Sequence, residues 1–251
     1  MRISLLSATL FLASTAAFAE PDRAAIDATV AAINGQAKVT SVRTTPFGNL
    51  NEVVATDERG APSVVYISDD GRYLVSGVLV DVQQRQNLTE LATATLRRDL
   101  LASIPDEQKI IYKPKGAPKH RVVVFTDISC GYCQRLHEHV QEFVARGIQV
   151  EYVAFPRGGL QSPVYAQMTQ IWCADDRKAA FDAALAGRAI TAKGCEAPVT
   201  AHYELGDRLG VQGTPAIYTE DGVNVGGYVT PDQLLSTLER MSAKPDAVAE
   251  N

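Results

Sequence analysis

Apolar and polar residues alternate over short stretches in the first third of the chain. A helix is predicted before these stretches, over about Asp22–Asn34 with Gly35 as its C-cap, because apolar residues recur there at helical spacing. The alternating stretches predict four short strands: Lys38–Thr45, Leu50–Thr56, Val64–Ile67 and Tyr73–Val80. Together these elements make a small antiparallel meander with one helix, which is α+β in class.

Residues 20–84, which contain this meander, offer no group for catalysis, since they lack cysteine, histidine and a Gly-rich loop before a helix. About 60 residues with one helix are marginal as an independent fold. Pairing a sheet edge with a second copy would bury apolar surface and cover an aggregation-prone edge. We therefore expect a dimerisation domain here, with a merely structural appendage as the alternative.

A single amphipathic helix is predicted over Asn87–Ser103. Asn87 with Glu90 three residues later resembles a capping box, and Pro105 stops the helix. Its apolar residues form one stripe: Leu88, Leu91, Ala92, Leu96, Leu100 and Ile104. A helix between two domains is a stiffer connection than a Gly/Ser tether. Residues 85–105 are therefore interpreted as a linker helix, the alternative being a helix packed wholly on one domain.

Strands alternate with helices from Gln108 onward, which is typical of βαβ units and an α/β domain. The predicted strands are Lys109–Tyr112, Arg121–Asp127, Ile148–Phe155 and Val223–Gly226, and the segment Val211–Tyr218 is predicted to start with a turn and become a strand. The predicted helices are one ending at Arg146, Pro163–Leu185 with an interruption near Cys173–Asp176, Thr200–Leu209, and one beginning at Thr230. This order is the thioredoxin topology with a helical insertion. We assign it to residues 106–243 and expect residues 244–251 to be a flexible tail.

Two cysteines separated by two residues, Cys130 and Cys133, lie between a predicted buried strand and a helix. At a helix start, unpaired backbone N–H groups and the helix dipole stabilise an anion. Because the thiolate is the reactive form of cysteine, this position favours a nucleophilic Cys130. The spacing predicts a thioredoxin-like redox centre, and Cys130 and Cys133 are its candidate catalytic residues.

The first nineteen residues differ from the rest of the chain. Arg2 is the only charged residue before Glu20, the following stretch is apolar or small, and Ala17-Phe18-Ala19 fits a cleavage site. A transmembrane anchor is the alternative, but the stretch is short for one. We expect a signal peptide over residues 1–19 and therefore an exported protein.

Export places four cysteines in an oxidising compartment. Four cysteines allow three pairings, and the sequence alone does not choose among them. The chemically sensible pairing is Cys130 with Cys133 as the redox pair and Cys173 with Cys195 as a structural bond.

Composition excludes several partners. The chain carries a net charge of −5 without a block of lysine and arginine, which argues against nucleic acid and anionic membranes. A zinc site at the two motif cysteines would need His137 and His139, but residues two apart on a helix point to different sides. We expect no metal and no cofactor, and we interpret both histidines as part of a solvated helix face.

Four segments together resemble the DsbC family, the periplasmic disulfide isomerases of Gram-negative bacteria. They are Phe125-Thr-Asp-Ile-Ser-Cys-Gly-Tyr-Cys133, Phe155-Pro-Arg-Gly-Gly-Leu160, Ile171-Trp-Cys-Ala174 and Gly213-Thr-Pro-Ala216. The resemblance extends to the N-terminal meander and the linker helix, and thus to nearly the whole mature chain.

The resemblance implies roles for individual residues. Cys130 would be the attacking cysteine and Cys133 the resolving one. Thr214 and Pro215 would form the substrate-binding loop that faces the motif, with a cis bond before Pro215. Cys173 and Cys195 would form the family's structural disulfide.

The resemblance also implies a cellular location, an oligomeric state and partners. The protein would be a periplasmic homodimer with an apolar cleft that binds misfolded disulfide-bonded exported proteins. Its electrons would come from a membrane thiol reductase of the DsbD type. The alternatives are a thiol oxidase or reductase, and a holdase chaperone that needs no redox chemistry.

One position departs from thioredoxin proper, which carries a buried acid six residues before its first cysteine. Val124 occupies that position here, so the usual proton acceptor for Cys133 is missing. Asp127 is nearer in sequence, but the sequence does not show whether its carboxylate reaches the site. The uncharged Gly131 and Tyr132 predict a Cys130 pKa that is lowered less than in strong oxidases.

Overall fold

The computed structural model describes residues 20–84 and 86–242. The predicted signal peptide, residues 1–19, and the predicted tail, residues 244–251, lie outside these described residues. Within the described ranges, none of the helices has the length and apolar character needed to cross a membrane.

The N-terminal region consists of one helix on a four-stranded antiparallel sheet. The elements are α1 (Arg23–Ile33), β1 (Lys38–Thr45), β2 (Gly48–Thr56), β3 (Pro62–Ser68) and β4 (Leu74–Val75), and the strand order is β1-β2-β3-β4. Ile26 and Val30 of α1 pack against Val53, Ala55 and Ile67 of the sheet. The alternation of apolar residues along β2 and β3 thus produces a single core on one side of this sheet.

Two predictions for this region are wrong in detail. The segment Tyr73–Val80 is not one strand, since only β4 pairs with β3, while β5 (Val80–Asp81) and β6 (Gln86–Asn87) form a separate two-stranded ladder. Gly77 interrupts the alternation, and glycine weakens a strand interior. Helix α1 is capped by Asn34, whose N–H donates to the Val30 carbonyl, and not by Gly35.

Helix α2 (Leu88–Ala102) connects the two regions and contacts both. The Asn87 side chain accepts a hydrogen bond from the Glu90 N–H at 2.9 Å, which caps the helix as predicted. At its start, Thr89 bonds to Tyr66 of β3. Further along, Gly222 of the C-terminal region approaches so closely that a Cβ there would lie 2.0 Å from the Ala94 carbonyl oxygen.

The C-terminal region is built on a five-stranded sheet. Its strands are β7 (Ile110–Tyr112), β8 (His120–Thr126), β9 (Ile148–Ala154), β10 (Ala216–Thr219) and β11 (Asn224–Gly226), in the order β11-β10-β8-β9-β7. Its helices are α3 (Gly131–Glu138), α4 (Val140–Ala145), α5 (Pro163–Trp172), α6 (Arg177–Leu185), α7 (Val199–Arg208) and α8 (Pro231–Ser242). Strands β8 and β9 are parallel, as predicted, and the other neighbours are antiparallel.

Both faces of this sheet are covered. Along β8, Val122 and Val124 belong to the core beneath α3 to α6, while Val123 and Phe125 belong to a second core with α7 and the end of α2. A run of consecutive apolar residues is what a strand buried on both faces requires. The loop between β8 and α3 emerges from this rigid centre, so the redox motif is held by buried elements.

The predicted helix from the motif to Arg146 is divided into α3 and α4 at His139. The His139 N–H donates to the Leu136 carbonyl, three residues back, which makes a tighter turn than an α-helix. The His139 imidazole lies 2.8 Å from a carboxylate oxygen of Glu142 in the next helix. The break separates the short helix that carries the motif from the packing helix α4.

Candidate active site

The two motif cysteines lie at the start of α3 as free thiols. Cys130 is the N-cap residue, with extended backbone angles, and Cys133 is in the first turn. Both are buried, with 4% and 1% of their surface exposed, whereas Tyr132 between them is 61% exposed. The motif therefore presents one aromatic side chain to solvent beside a sheltered pair of thiols.

The Cys130 sulfur lies between the Thr214 loop and the first turn of α3. It is 3.1 Å from the Thr214 carbonyl oxygen, to which the thiol donates, and this contact belongs to the protonated form. Burial by itself raises the pKa of Cys130, but hydrogen bonds from the Thr214 side chain and from the Cys133 N–H outweigh it. The pKa of Cys130 consequently lies below that of an ordinary cysteine, the direction needed for a nucleophile.

The loop that faces the motif is Thr214–Pro215, which contains a cis peptide bond. Strand β10 begins immediately afterwards, and Ala216 pairs with Phe125 of β8. This register places the loop beside the segment that leads into the motif. The structure therefore brings Thr214 and Pro215 next to Cys130.

The pKa of Cys133 is shifted in the opposite direction to that of Cys130. Burial raises the pKa of Cys133 to about 11, although the Asp127 N–H and the Thr126 and Thr214 hydroxyls partly oppose the shift. Among the residues that the structure describes, neither threonine hydroxyl has another oxygen or nitrogen as a hydrogen-bond partner. The inner thiol is thus protonated near neutral pH and has only weakly polar neighbours.

Asp127 is buried but committed to other partners. One carboxylate oxygen accepts from the Ser129 N–H and hydroxyl at 2.7 and 2.6 Å, and the other accepts from the Arg157 N–H and Nε at 2.9 and 3.1 Å. Burial raises the pKa of Asp127, but these bonds more than offset it and leave the pKa below its usual value. Asp127 therefore stays ionised and is a poor proton acceptor for Cys133.

The other two cysteines form a disulfide, Cys173–Cys195, with a Cα–Cα distance of 5.6 Å. It joins the end of α5 to the segment before α7, 22 residues further along the chain. A closed loop of this length stabilises a fold by roughly 3 kcal/mol in chain-entropy estimates. This bond lies within the helical insertion and is separate from the motif.

The interpretation of both histidines as a solvated helix face is wrong for His137. Its side chain is 12% exposed and its Nε2 lies 2.9 Å from Asp182 of α6, whereas His139 is 37% exposed and pairs with Glu142. The inserted helix α6 covers one side of α3, and the local sequence carries no signal of that cover. Residues 20–84 and 86–242 contain no cluster of three or more candidate ligands that could hold a metal ion.

Sequence reasoning also missed two aromatic contacts around α3. Tyr132 lies beside Tyr228, with ring centroids 6.1 Å apart. His137 is enclosed by Tyr112, Tyr152 and Phe181, at centroid distances of 5.3, 5.6 and 5.1 Å. Only the tertiary fold brings β7, β9 and α6 around one histidine.

Comparison with known proteins extends over both regions. A family described as "Thioredoxin-like domain" matches residues 105–242, and one described as "Disulfide bond isomerase protein N-terminal domain" matches residues 17–90. A disulfide interchange protein from Neisseria gonorrhoeae is a similar solved structure, with 27% identity, a TM-score of 0.48, and coverage of 55% of this chain and 97% of that chain.

Two similar curated relatives are both thiol:disulfide interchange proteins named DsbC. The one from Dickeya dadantii (strain 3937) is 39% identical over 225 residues, 90% of this chain and 90% of the relative. The one from Escherichia coli (strain K12) is 37% identical over 228 residues, 91% and 92% of the two chains. The resemblance and the fold class inferred from the sequence are confirmed, and the chain belongs to the DsbC family of thiol:disulfide interchange proteins.

Proposed function

We propose that this protein isomerises wrong disulfides in exported proteins through Cys130 and Cys133. The observation that carries the proposal is the opposed ionisation of two thiols that lie one turn apart. Cys130 has a lowered pKa and Cys133 a pKa raised to about 11. The first thiol suits attack on a disulfide, and the second suits delayed resolution.

The reaction begins when the Cys130 thiolate attacks one sulfur of a substrate disulfide. A mixed disulfide forms and the other substrate sulfur leaves as a thiolate. If a second substrate thiolate then attacks the mixed disulfide, Cys130 is released, the substrate disulfide has moved, and no electrons are gained or lost overall. If Cys133 attacks instead, the substrate leaves reduced by two electrons and Cys130 and Cys133 become a disulfide.

The raised pKa of Cys133 favours the first outcome. A thiol with a pKa of about 11 is ionised in roughly one molecule in 10⁴ at pH 7, because the difference is four units. Resolution by Cys133 therefore requires the loss of a proton, and substrate thiols, with ordinary pKa values of about 8.5, compete with it. Resolution by Cys133 then acts as an escape from mixed disulfides that persist.

Thr214 and Pro215 are proposed as the substrate-binding loop. They lie beside Cys130, and the Thr214 carbonyl already accepts from its thiol. An extended substrate segment can pair with exposed backbone through main-chain hydrogen bonds. Such bonds give affinity that does not depend on the side chains of the substrate. This mode suits an enzyme that acts on many different proteins.

We propose a homodimer formed by residues 20–84, linked by residues 85–105 to a catalytic domain over residues 106–243. Support comes from an exposed apolar group that we call the 73–82 patch: Tyr73, Val75, Val78, Val80 and Val82. These side chains are between 48% and 81% exposed in the single chain. Five exposed apolar side chains within ten residues of the chain suit an interaction site. A cleft between the two catalytic domains would bind unfolded substrates in a chaperone-like manner.

A periplasmic location follows from the proposed signal peptide and agrees with the structural disulfide. Isomerisation needs Cys130 reduced, and an oxidising compartment opposes that state. We therefore propose a membrane thiol reductase of the DsbD type as the electron donor.

Reactivation of a substrate with scrambled disulfides tests the proposal. The wild type should restore activity in a mild redox buffer, and Cys130→Ala should restore none, because attack on the substrate disulfide is lost. A Cys130→Ala protein as effective as the wild type would instead indicate a holdase. Failure of the wild type would exclude isomerisation.

A further inference from the structure

A polar cluster centred on the largely buried His137 has no place in the chemistry so far described. His137 follows Cys133 by four residues on α3, so the two side chains lie on the same helix face, with Cβ atoms about 6 Å apart. The His137 ring contacts Tyr152 of β9 through Nδ1 at 3.3 Å and Asp182 of α6 through Nε2 at 2.9 Å. Tyr112 of β7 donates its hydroxyl to the same Asp182 oxygen.

The partners of His137 determine where its proton lies. A carboxylate can only accept, so Nε2 carries the hydrogen that bonds to Asp182. The neutral ring therefore has its lone pair on Nδ1, where the Tyr152 hydroxyl donates to it. The basic nitrogen faces the protein interior, and the carboxylate that orients the ring is half-exposed at the outer end.

Tyr152 lies beside the position at which thioredoxin carries its buried acid. In the parallel pairing of β8 with β9, Val124 is directly opposite Tyr152. Both side chains belong to the core beneath α3, and Tyr152 has none of its surface exposed. The Tyr152 hydroxyl thus belongs to the strand next to Val124 and to the same face of the sheet, and it bonds to His137.

Cys133 needs such a group, because it must lose a proton before it can attack. The Thr126 and Thr214 hydroxyls beside it stabilise its anion but are too weakly basic to take the proton. Asp127 is held by Ser129 and Arg157 and has a lowered pKa. Neither the threonines nor Asp127 therefore supplies an effective base.

We propose that His137 accepts, by way of the Tyr152 hydroxyl, the proton that Cys133 gives up when it resolves a mixed disulfide. Asp182 holds the imidazole in the required tautomer. The inference rests on the proposed thiol chemistry and assigns a proton acceptor to its second step.

The step balances as follows. The Cys133 proton passes to the Tyr152 oxygen while the Tyr152 hydroxyl proton passes to His137 Nδ1, which becomes an imidazolium paired with Asp182. The Cys133 sulfur forms a bond to the Cys130 sulfur as the bond from Cys130 to substrate breaks, and the electron pair leaves with the substrate thiolate. When the enzyme is reduced again, the same path returns the proton to Cys133.

The groups around the ring keep His137 neutral and available. Burial lowers the pKa of His137, and Asp182 opposes the shift without cancelling it. Burial also raises the pKa of Tyr152, and a charge on Cys133 raises it further, so Tyr152 stays protonated and relays a proton without ionising. The Lys178 ammonium lies over the Tyr112 ring at 4.5 Å from its centroid.

Rapid mixing of the reduced protein with an aromatic disulfide, 5,5′-dithiobis(2-nitrobenzoate), separates the two steps. Attack by Cys130 releases one coloured thiolate at a rate proportional to the reagent concentration. Attack by Cys133 on the resulting mixed disulfide releases the second at a rate independent of that concentration. The first phase tests the thiol chemistry of the proposed function, and the second tests the role of His137.

We expect His137→Gln to slow the second phase roughly 100-fold at pH 7, the lower end of what general acid–base catalysis contributes. The first phase should not change. The matched control is His139→Gln, two residues further along, which should change neither phase. At pH values above the lowered pKa of His137, the rate of the wild-type second phase should not depend on pH. In His137→Gln this rate should rise about tenfold per pH unit, because only the Cys133 thiolate then reacts.

Two further variants keep the test decisive if His137→Gln folds poorly. Tyr152→Phe should slow the second phase by interrupting the relay. In the wild type, the rate of the second phase should fall at pH values below the pKa of His137. Asp182→Asn, at a half-exposed position, should move this fall to lower pH, because Asp182 raises the pKa of His137. Equal second phases and pH profiles in all variants would overturn the inference alone. Loss of the first phase from the wild type would overturn the proposed function as well.

Discussion

The two sheets of this protein bury their apolar residues to different extents. The five-stranded sheet is covered on both faces, with Val122 and Val124 in one core and Val123 and Phe125 in another. The four-stranded sheet has a single core under α1, and the 73–82 patch remains exposed. One region is complete within the chain, whereas the other leaves apolar surface for a partner.

The difference matches what each region has to do. Thiol chemistry depends on fixed distances, and the motif is held between two packed cores, where its geometry is well determined. The N-terminal region holds no reactive group and is free to use its apolar surface for association. Stability in the two regions should therefore respond to different changes: internal substitutions in one, and loss of a partner in the other.

The largest effect should come from placing a charge in the 73–82 patch. Val78→Asp puts a carboxylate at a position that is 67% exposed in the single chain and that we propose to be buried in the dimer. We expect a monomer by sedimentation and loss of scrambled-substrate reactivation, with the rate of Cys130 attack unchanged. Ile33→Asp, similarly exposed on α1 but outside the patch, is the control. A Val78→Asp protein that remains dimeric would contradict the proposal that the 73–82 patch is buried in the dimer, and with it the contrast drawn between the two regions.

Removal of the structural disulfide should destabilise only the C-terminal region. Replacing both Cys173 and Cys195 by serine lowers the free energy of unfolding by roughly 3 kcal/mol in chain-entropy terms. The sole tryptophan, Trp172, is adjacent to this bond and fully buried, so its fluorescence reports unfolding of this region. Urea titration should show the loss, and sedimentation should show an unchanged dimer. A loss of association would mean that the two regions are coupled.

Acid should also act first on the C-terminal region, through His202. Its Nδ1 accepts from the Ala154 N–H, and burial, with help from the charges of Lys109 and Arg177, lowers the pKa of His202 to about 4. The unfolded chain therefore binds an extra proton between pH 6.5 and about 4, and stability falls as pH falls through that window. The expected loss between pH 7 and pH 5 is about 2 kcal/mol.

The measurement is urea unfolding followed by Trp172 fluorescence at both pH values. His202→Gln should remove most of the dependence on pH, and His139→Gln, at a partly exposed position, should not. Residues 20–84 contain no histidine, and burial raises the pKa of Glu52, so the N-terminal region should not lose stability over the same window. A His202→Gln protein that loses as much stability as the wild type would show that other groups carry the effect.

Strands buried on both faces were the easiest elements to predict. Arg121–Asp127 was predicted where β8 runs from His120 to Thr126, and Ile148–Phe155 where β9 ends at Ala154, because continuous apolar runs leave little ambiguity. The exposed stretch Tyr73–Val80 was predicted wrongly. Apolar and polar residues alternate in several short segments of this region. Contacts with neighbouring strands, and not the alternation itself, determine which segment becomes a strand.

The redox motif was predictable because its meaning depends on local spacing. The surroundings of His137 were not, since Asp182 reaches it from 45 residues further along the chain. On a helix whose neighbours include glutamate and arginine, a histidine is expected in solvent until a second helix is known to cover it. Residues that act through tertiary contacts leave no periodic signal, and this applies most strongly to proton acceptors.

The smallest effect should come from an ion pair that spans the two regions. Arg59, in the turn between β2 and β3, lies 2.5 Å from Asp207 of α7, and both side chains are about half-exposed. Pairs of this kind contribute less than about 1 kcal/mol. A double-mutant cycle with Arg59→Ala and Asp207→Ala, followed by urea unfolding, should give a coupling energy within that bound.

The pair Arg98–Asp99, which is similarly exposed but lies wholly within α2, provides the control cycle. If the two cycles agree, the ion pair adds no special attachment between the regions, and helix α2 with the contact at Gly222 is what joins them. A coupling energy of several kcal/mol for Arg59 and Asp207 would instead mean that the N-terminal region is clamped to α7. In that case, substitutions in the 73–82 patch should also alter the pH dependence of Trp172 fluorescence, and the two regions would no longer respond independently.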